Sequence, residues 1–248
     1  MSNPPEINPY ASPQKFDELP SGPQRPIGVA LPWRPTEAIR FGWDAVLRQP
    51  LVLLAWWGGM LIGSAPSLAG NIAQVGLQAQ GEEKLGWIVY SICVLLGLLL
   101  TIWMHMGLLR YTIKLARGHG PQFGEIFSGG PFFSMLGAGL LASVGVSAGM
   151  FLLVVPGLIL AFGWLYASYL VVDRRLGAIQ SISASWRATK GHKGTLFLLA
   201  LLCFVVAMLG MLAFCVGYLV AMPICMIAFT YVYLKLTGEE PVLPPKLS

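Results

Sequence analysis

Histidine, cysteine and a lysine-glycine loop are the groups here whose chemistry could be read from spacing. The three histidines are His105, His119 and His192. His105 sits inside an apolar run, so it is the one foothold for proton handling within a membrane. His119 and His192 lie in polar segments, and neither has a carboxylate beside it in sequence. The four cysteines, Cys93, Cys203, Cys215 and Cys225, all lie in apolar runs at spacings that match no zinc pattern. They read as small buried hydrophobes. Thr189-Lys190-Gly191-His192-Lys193-Gly194-Thr195 looks like a phosphate loop but lacks the G-x-x-x-x-G-K-[ST] order and a preceding strand. H-E-x-x-H is missing as well. The expectation is a protein without enzymatic activity, cofactor or metal.

The elements that would carry these residues are hydrophobic helices. Of 248 residues, 56% are hydrophobic and 11% charged, against roughly 25% charged in a soluble domain. So much apolar side chain calls for lipid as solvent. Runs of about 20 residues, enough to cross a ~30 Å hydrocarbon core, fall at Leu51–Ala69, Trp87–Leu109, Phe132–Val154 and Pro156–Val172. Thr195–Leu236 is long enough for two more, with a break expected near Cys215–Tyr218 where Gly217 could turn the chain. A short turn is expected at Val155-Pro156-Gly157. The reading is an all-α, polytopic transmembrane helical bundle of about six spans.

Three segments follow from this. Residues 1–35 hold nine prolines and no hydrophobic run, which predicts a disordered tail. Its Asn8-Pro9-Tyr10 turn is a possible docking motif for a protein partner, against the plainer reading of a solvated tail. Residues 36–237 form the membrane domain, and 238–248 a short C-terminal tail. Only Lys84, among the sixteen Lys and Arg, falls in a loop on the far side. Positive charge marks the cytoplasmic side, so both ends are expected in the cytoplasm. The net charge of +5 is explained by these flanking residues, and nucleic acid is not a partner.

Two amphipathic segments adjoin the spans. In Thr36–Arg48, Thr36, Arg40, Asp44 and Arg48 recur every four residues as one polar stripe. Ile39, Trp43, Val46 and Leu47 lie opposite, and Thr36 is the expected N-cap. Such a helix suits the lipid surface, although a plain extension of the first span would also fit. Gly177–Lys190 repeats the pattern, with Ile179, Ile182 and Trp186 against Gln180, Arg187 and Lys190. Gly42-Trp43-Asp44-Ala45 aligns with Ser185-Trp186-Arg187-Ala188. A weaker third segment is Phe123–Phe127. The chain thus reads as three units, each an interfacial helix followed by a transmembrane hairpin. The candidate contacts to anionic lipid head groups are Arg40, Arg48, Arg174, Arg175, Arg187, Lys190 and Lys193.

Within the spans the sequence places no Asp, Glu or Arg, and no Lys but Lys235 at the very end of the last, which argues against a carboxylate proton relay. Small residues recur at spacing four: Gly59 and Gly63; Gly139, Ser143 and Ser147; Gly163 and Ala167; Ala213 and Gly217. They predict close helix packing. His105, near Arg110, is expected close to the cytoplasmic interface.

Val154-Val155-Pro156-Gly157-Leu158-Ile159-Leu160, Val172-Asp173, Ser181 to Gly191, and Gly210 to Leu236 with Pro223 and Tyr233 together resemble a known pattern. It is that of the membrane domain attached to some bacterial glycerophosphodiester phosphodiesterases, and of related six-helix bacterial membrane proteins. The likeness covers roughly residues 36–236. It implies an all-α bundle in a bacterial cytoplasmic membrane. It does not bring the phosphodiesterase activity, which belongs to a separate soluble domain, so no catalytic residue is carried over. The functional expectation is an organiser of lipid or protein partners at the cytoplasmic face. The alternative is a subunit of a transporter or channel for a neutral or lipid-like substrate.

Overall fold

The computed structural model describes residues 30–120, 122–212 and 216–246. Asn8-Pro9-Tyr10, Ala213 and Cys215 lie outside them. The described chain is all-α, with six helices long and apolar enough to cross a membrane. They pair as hairpins. The first joins α1 (Pro35–Arg48) to α2 (Leu51–Ala79) and α3 (Glu83–Ala116). The second begins with a 3₁₀ turn (Phe123–Phe127) and continues as α4 (Phe132–Leu152), α5 (Val154–Trp164) and α6 (Ala167–Arg174). The third is α7 (Ala178–Ala188), α8 (Lys193–Leu212) and α9 (Val216–Leu236). The order of elements is that of three units, a short helix before each hairpin.

Several boundaries moved, each for a local reason. The first two spans are longer than their apolar runs, at 29 and 34 residues. Their ends are polar but keep pairing across the hairpin, where Gly86 packs against Gln74 and Gly70 against Cys93. The turn between spans three and four is at Leu153, extended at φ −166°. Pro156 already lies in the first turn of α5, where its missing N–H costs nothing. Gly217 does not turn the chain. It lies in α9 and lets α9 approach Gly210 of α8, where an added Cβ would meet backbone at 2.7 Å. The N-cap of α1 is Arg34 rather than Thr36, because Pro35 takes the first helical position.

The fourth span is broken at Leu165–Tyr166. A break inside a membrane frees backbone groups that must find other partners. Ser185 of α7 supplies them: its hydroxyl donates to Gly163 O (2.8 Å) and accepts from Tyr166 N–H (3.2 Å). Thr189 adds a bond to the same carbonyl at 3.3 Å.

The core sits at one end of the bundle. Buried residues crowd the last turns of α3, all of α6 and most of α9, whereas the far halves of α2–α3 and α4–α5 stay largely exposed. The hairpins therefore splay from a common base. Of the small-residue stripes, Gly59 and Gly63 pack as expected, but Gly139, Ser143 and Ser147 are exposed. In α4 the contact is made instead by Gly145, on the Trp164 ring, and Gly149, where an added Cβ would lie 3.0 Å from the Gly157 backbone.

Both chain ends meet at the base. Leu31 N–H donates to Lys235 O at 2.9 Å, and Trp33 is buried. Residues 30–34, expected to be part of a disordered tail, are thus anchored beside the last helix. The segment after α9 is also docked. Val242 N–H donates to Ala116 O at 2.8 Å, and the carbonyls of Pro244 and Pro245 accept from Arg48 and Gln49.

Candidate functional site

The two amphipathic helices share one burial register. In α1 the small residues Ala38, Gly42 and Ala45 face the bundle, joined by Phe41. A Cβ on Gly42 would lie 2.5 Å from Ile224 O, so only glycine lets α1 press onto α9. In α7 the buried face is Ser181, Ala184, Ser185 and Ala188. Within the aligned tetrads, Ala45 and Ala188 are 0% and 5% exposed, whereas Trp43 and Trp186 are 51% and 36%. The expected apolar faces are thus split. Small residues turn to protein and Trp43, Leu47 and Ile179 turn outward, while the Trp186 ring lies over Gly163 of α5. The sequence pattern hid this because a helical wheel ranks a tryptophan above an alanine for burial, yet close helix contact selects the alanine.

The seven candidate head-group residues do not behave alike. Arg40, Arg175, Arg187 and Lys190 are exposed. Arg40 lies 4.0 Å from Asp44, one turn along. Arg48 is half-buried and bonds Pro244 O at 3.4 Å. Arg174 is half-buried at the end of α6, and Arg175 caps that helix in the left-handed region at φ 50°. Lys193 is occupied: its Nζ sits 3.1 Å above the Trp186 ring, an attractive cation–π arrangement. Arg40, Arg187 and Lys190 therefore remain as the outward basic groups on or beside the amphipathic helices.

Sequence reasoning missed the polar cluster at the base. Arg117 follows α3, Asp173 ends the apolar part of α6, Tyr233 is in α9 and Glu239 lies beyond it. Arg117 donates to both Asp173 oxygens (2.7 and 2.9 Å) and to both Glu239 oxygens (2.8 and 3.0 Å). Tyr233 O–H donates to Asp173 at 2.8 Å. The side chains of Arg117 and Asp173 are 17% and 4% exposed. Burial works against the Arg117 charge. Hydrogen bonds to Glu239 and Asp173, then their charges, outweigh it and hold the pKa above the ordinary guanidinium value. Every unit enters the cluster, the third with both Tyr233 and Glu239, which makes it a clasp. Partners 56 and 122 residues apart leave no local signature. The available hint was Asp173 itself, one acid at the end of an apolar run.

Beside the clasp, the 3₁₀ turn is fastened to α3. Glu125 pairs with Lys114 at 2.8 Å, Trp103 Nε1–H donates to Phe127 O at 3.3 Å, and Arg110 donates to Ser128 Oγ at 3.4 Å.

His105 lies in the second half of α3. After it α3 continues for eleven residues to Ala116, about 17 Å at ~1.5 Å per residue. It lines two cavities, one of ≈ 290 Å³ between α3 and α4 and one of ≈ 320 Å³ between α2, α3, α6 and α9. A third, ≈ 570 Å³, opens nearby beside Trp103 and Phe132. Among the described residues, no three His, Cys, Asp or Glu side chains gather as a metal site.

Six apolar helices in three hairpins define a multi-pass integral membrane protein. No family model matches the chain and no solved structure matches it. Proteins of Mycobacterium tuberculosis and Mycobacterium bovis, each called an uncharacterised protein, are 30% identical to it over 143 residues. The match takes in 58% of this chain and 44% of each relative, so the chain spans less than half the length of the curated relatives it matches.

Proposed function

We propose that this protein is a non-enzymatic organiser of a bacterial inner membrane, gathering anionic lipid or protein partners at its basic face, which is the cytoplasmic one. The observation that carries the reading is the common register of α1 and α7. Each is held to the bundle by small residues, leaves a large aliphatic side chain exposed (Leu47 or Ile179) with Trp43 or the part-exposed Trp186 near it, and sets Arg40, or Arg187 and Lys190, beside them. This is the chemistry of an interfacial collar: apolar groups for the acyl boundary, cations for phosphate.

The test is lipid retention by native mass spectrometry from vesicles of mixed phosphatidylglycerol and phosphatidylcholine. Each basic residue near an anionic surface contributes about 1 kcal/mol. The Arg40→Gln, Arg187→Gln, Lys190→Gln triple variant is expected to lose its preference for phosphatidylglycerol by at least about tenfold at low salt, and by less at high salt. An unchanged preference would sink the reading. Orientation has its own check. Reporter fusions after Gln80 are expected to read outside the cytoplasm, and fusions after Gly118, Arg187 and Ser248 inside; an outside C-terminus would reverse the assignment.

A second reading, a subunit of a transporter or channel for a neutral or lipid-like substrate, is favoured by the cavities at His105. Protein-dependent flux in liposomes would move it ahead of the first.

A further inference from the structure

His105 is a polar group with nothing in the protein to talk to. It lines the cavity between α3 and α4 and also the one between α2, α3, α6 and α9, and no other residue is shared by the two linings. Its imidazole makes no hydrogen bond to another described residue, and neither does the Ser168 hydroxyl in the second cavity. A buried polar group left without a partner is costly. His105 and Ser168, each half-buried, border the same cavity without one.

The walls say what could fill it. Around His105 and Ser168 the lining is mostly of the Leu98, Ile102, Met222 and Phe229 kind, with the hydroxyls of Thr101 and Tyr169 and no charged side chain in either cavity. Leu98 and Leu140, on the rim of the α3–α4 cavity, are exposed on the flank of the spans, the surface that faces acyl chains. Entry is therefore sideways from lipid. An ionic head group would be stranded in this lining. A neutral amphiphile would not. Histidine and serine each donate and accept, so one hydroxyl placed between them can satisfy both.

We propose that the cavities meeting at His105 bind a neutral, hydroxyl-bearing lipid, its acyl chain in the groove between α3 and α4 and its hydroxyl at His105 and Ser168. The site is independent of the basic collar, since it uses no cation and lies well inside the spans.

The probes are dioleoylglycerol and its methyl ether, which keeps both acyl chains and caps the hydroxyl. The full chain would be placed in phosphatidylcholine nanodiscs carrying each lipid at equal loading, and retained lipid counted by native mass spectrometry. The expected result is about tenfold more retained dioleoylglycerol than ether, the size of one or two lost hydrogen bonds. His105→Phe should bring the two to parity, and His105→Gln should keep a preference. Equal retention of alcohol and ether by the unaltered chain overturns the proposal without any variant. So does a His105→Phe chain with the wild-type unfolding temperature and undiminished preference. A preference that Gly139→Leu, which fills the groove from α4, leaves intact would overturn the placement of the acyl chain.

Discussion

Arg117→Met is expected to lower the stability of the bundle by about 3–5 kcal/mol, the range for removing one partner of a buried ionic group. Methionine matches the arginine stem in length, so the loss would not come from packing. It would come from Asp173 and Glu239, two carboxylates left at the base without the guanidinium that bridges them. The measurement is unfolding in mild detergent followed by titration with a denaturing detergent. The clasp reading makes a second demand. Adding Asp173→Leu and Glu239→Leu to Arg117→Met should recover most of the loss, because a buried ionic set can be replaced by apolar side chains at little net cost. Recovery that fails would mean the cluster stabilises the fold by its shape rather than its charge. A small effect of Arg117→Met alone would mean that water reaches the cluster freely.

Gly107→Leu is expected to detach the 3₁₀ turn from α3. A Cβ at Gly107 would overlap the backbone carbonyl of Ile126, and backbone cannot step aside as a side chain can. Ile126 is buried and also rests against Gly59 of α2, so the turn is wedged between two helices of the first hairpin. Overpacking costs about 1–3 kcal/mol and occasionally more. Here the larger value applies, because moving the turn also breaks the Lys114–Glu125 pair and the Trp103–Phe127 bond. A cysteine pair at positions 114 and 125 reports the detachment directly: its crosslinking yield should collapse in Gly107→Leu. Gly76→Ala is the control, since nothing lies within 4 Å of its added methyl, and it should crosslink as the parent does. Undiminished crosslinking in Gly107→Leu would show that the wedge can re-seat.

The membrane architecture was legible because it depends on composition over long windows. Six apolar runs, flanked by Arg and Lys on one side, leave little choice of element or of pairing by short turns. The break in the fourth span was not legible. Gly163, Trp164 and Leu165 suit a continuous helix, and the cause of the interruption, Ser185, comes from α7. The side of α1 that meets protein was not legible either. Which side of Phe41, Gly42 and Trp43 is buried depends on the shape of α9 at Ile224, which no local pattern encodes. The candidate head-group residues were found as a set by charge alone, but charge could not tell Arg187, which is exposed, from Lys193, which is spent on the Trp186 ring. The clasp and the partnerless imidazole of His105 were invisible for one reason. Each is defined by what surrounds it in space.

The pairing of α1 with α9 also has a consequence in time. Gly42 cannot meet Ile224 until some 180 further residues have been made, roughly 10–40 s of synthesis at ~5–20 residues per second. Through that interval α1 presents its small-residue face to the translocation machinery and to lipid with nothing to cover it. Glu239, the last member of the clasp, leaves the ribosome later still. The first hairpin is therefore inserted long before its base can close, and the unclosed base is a mark by which a membrane protease could tell an unfinished or truncated copy from a finished one.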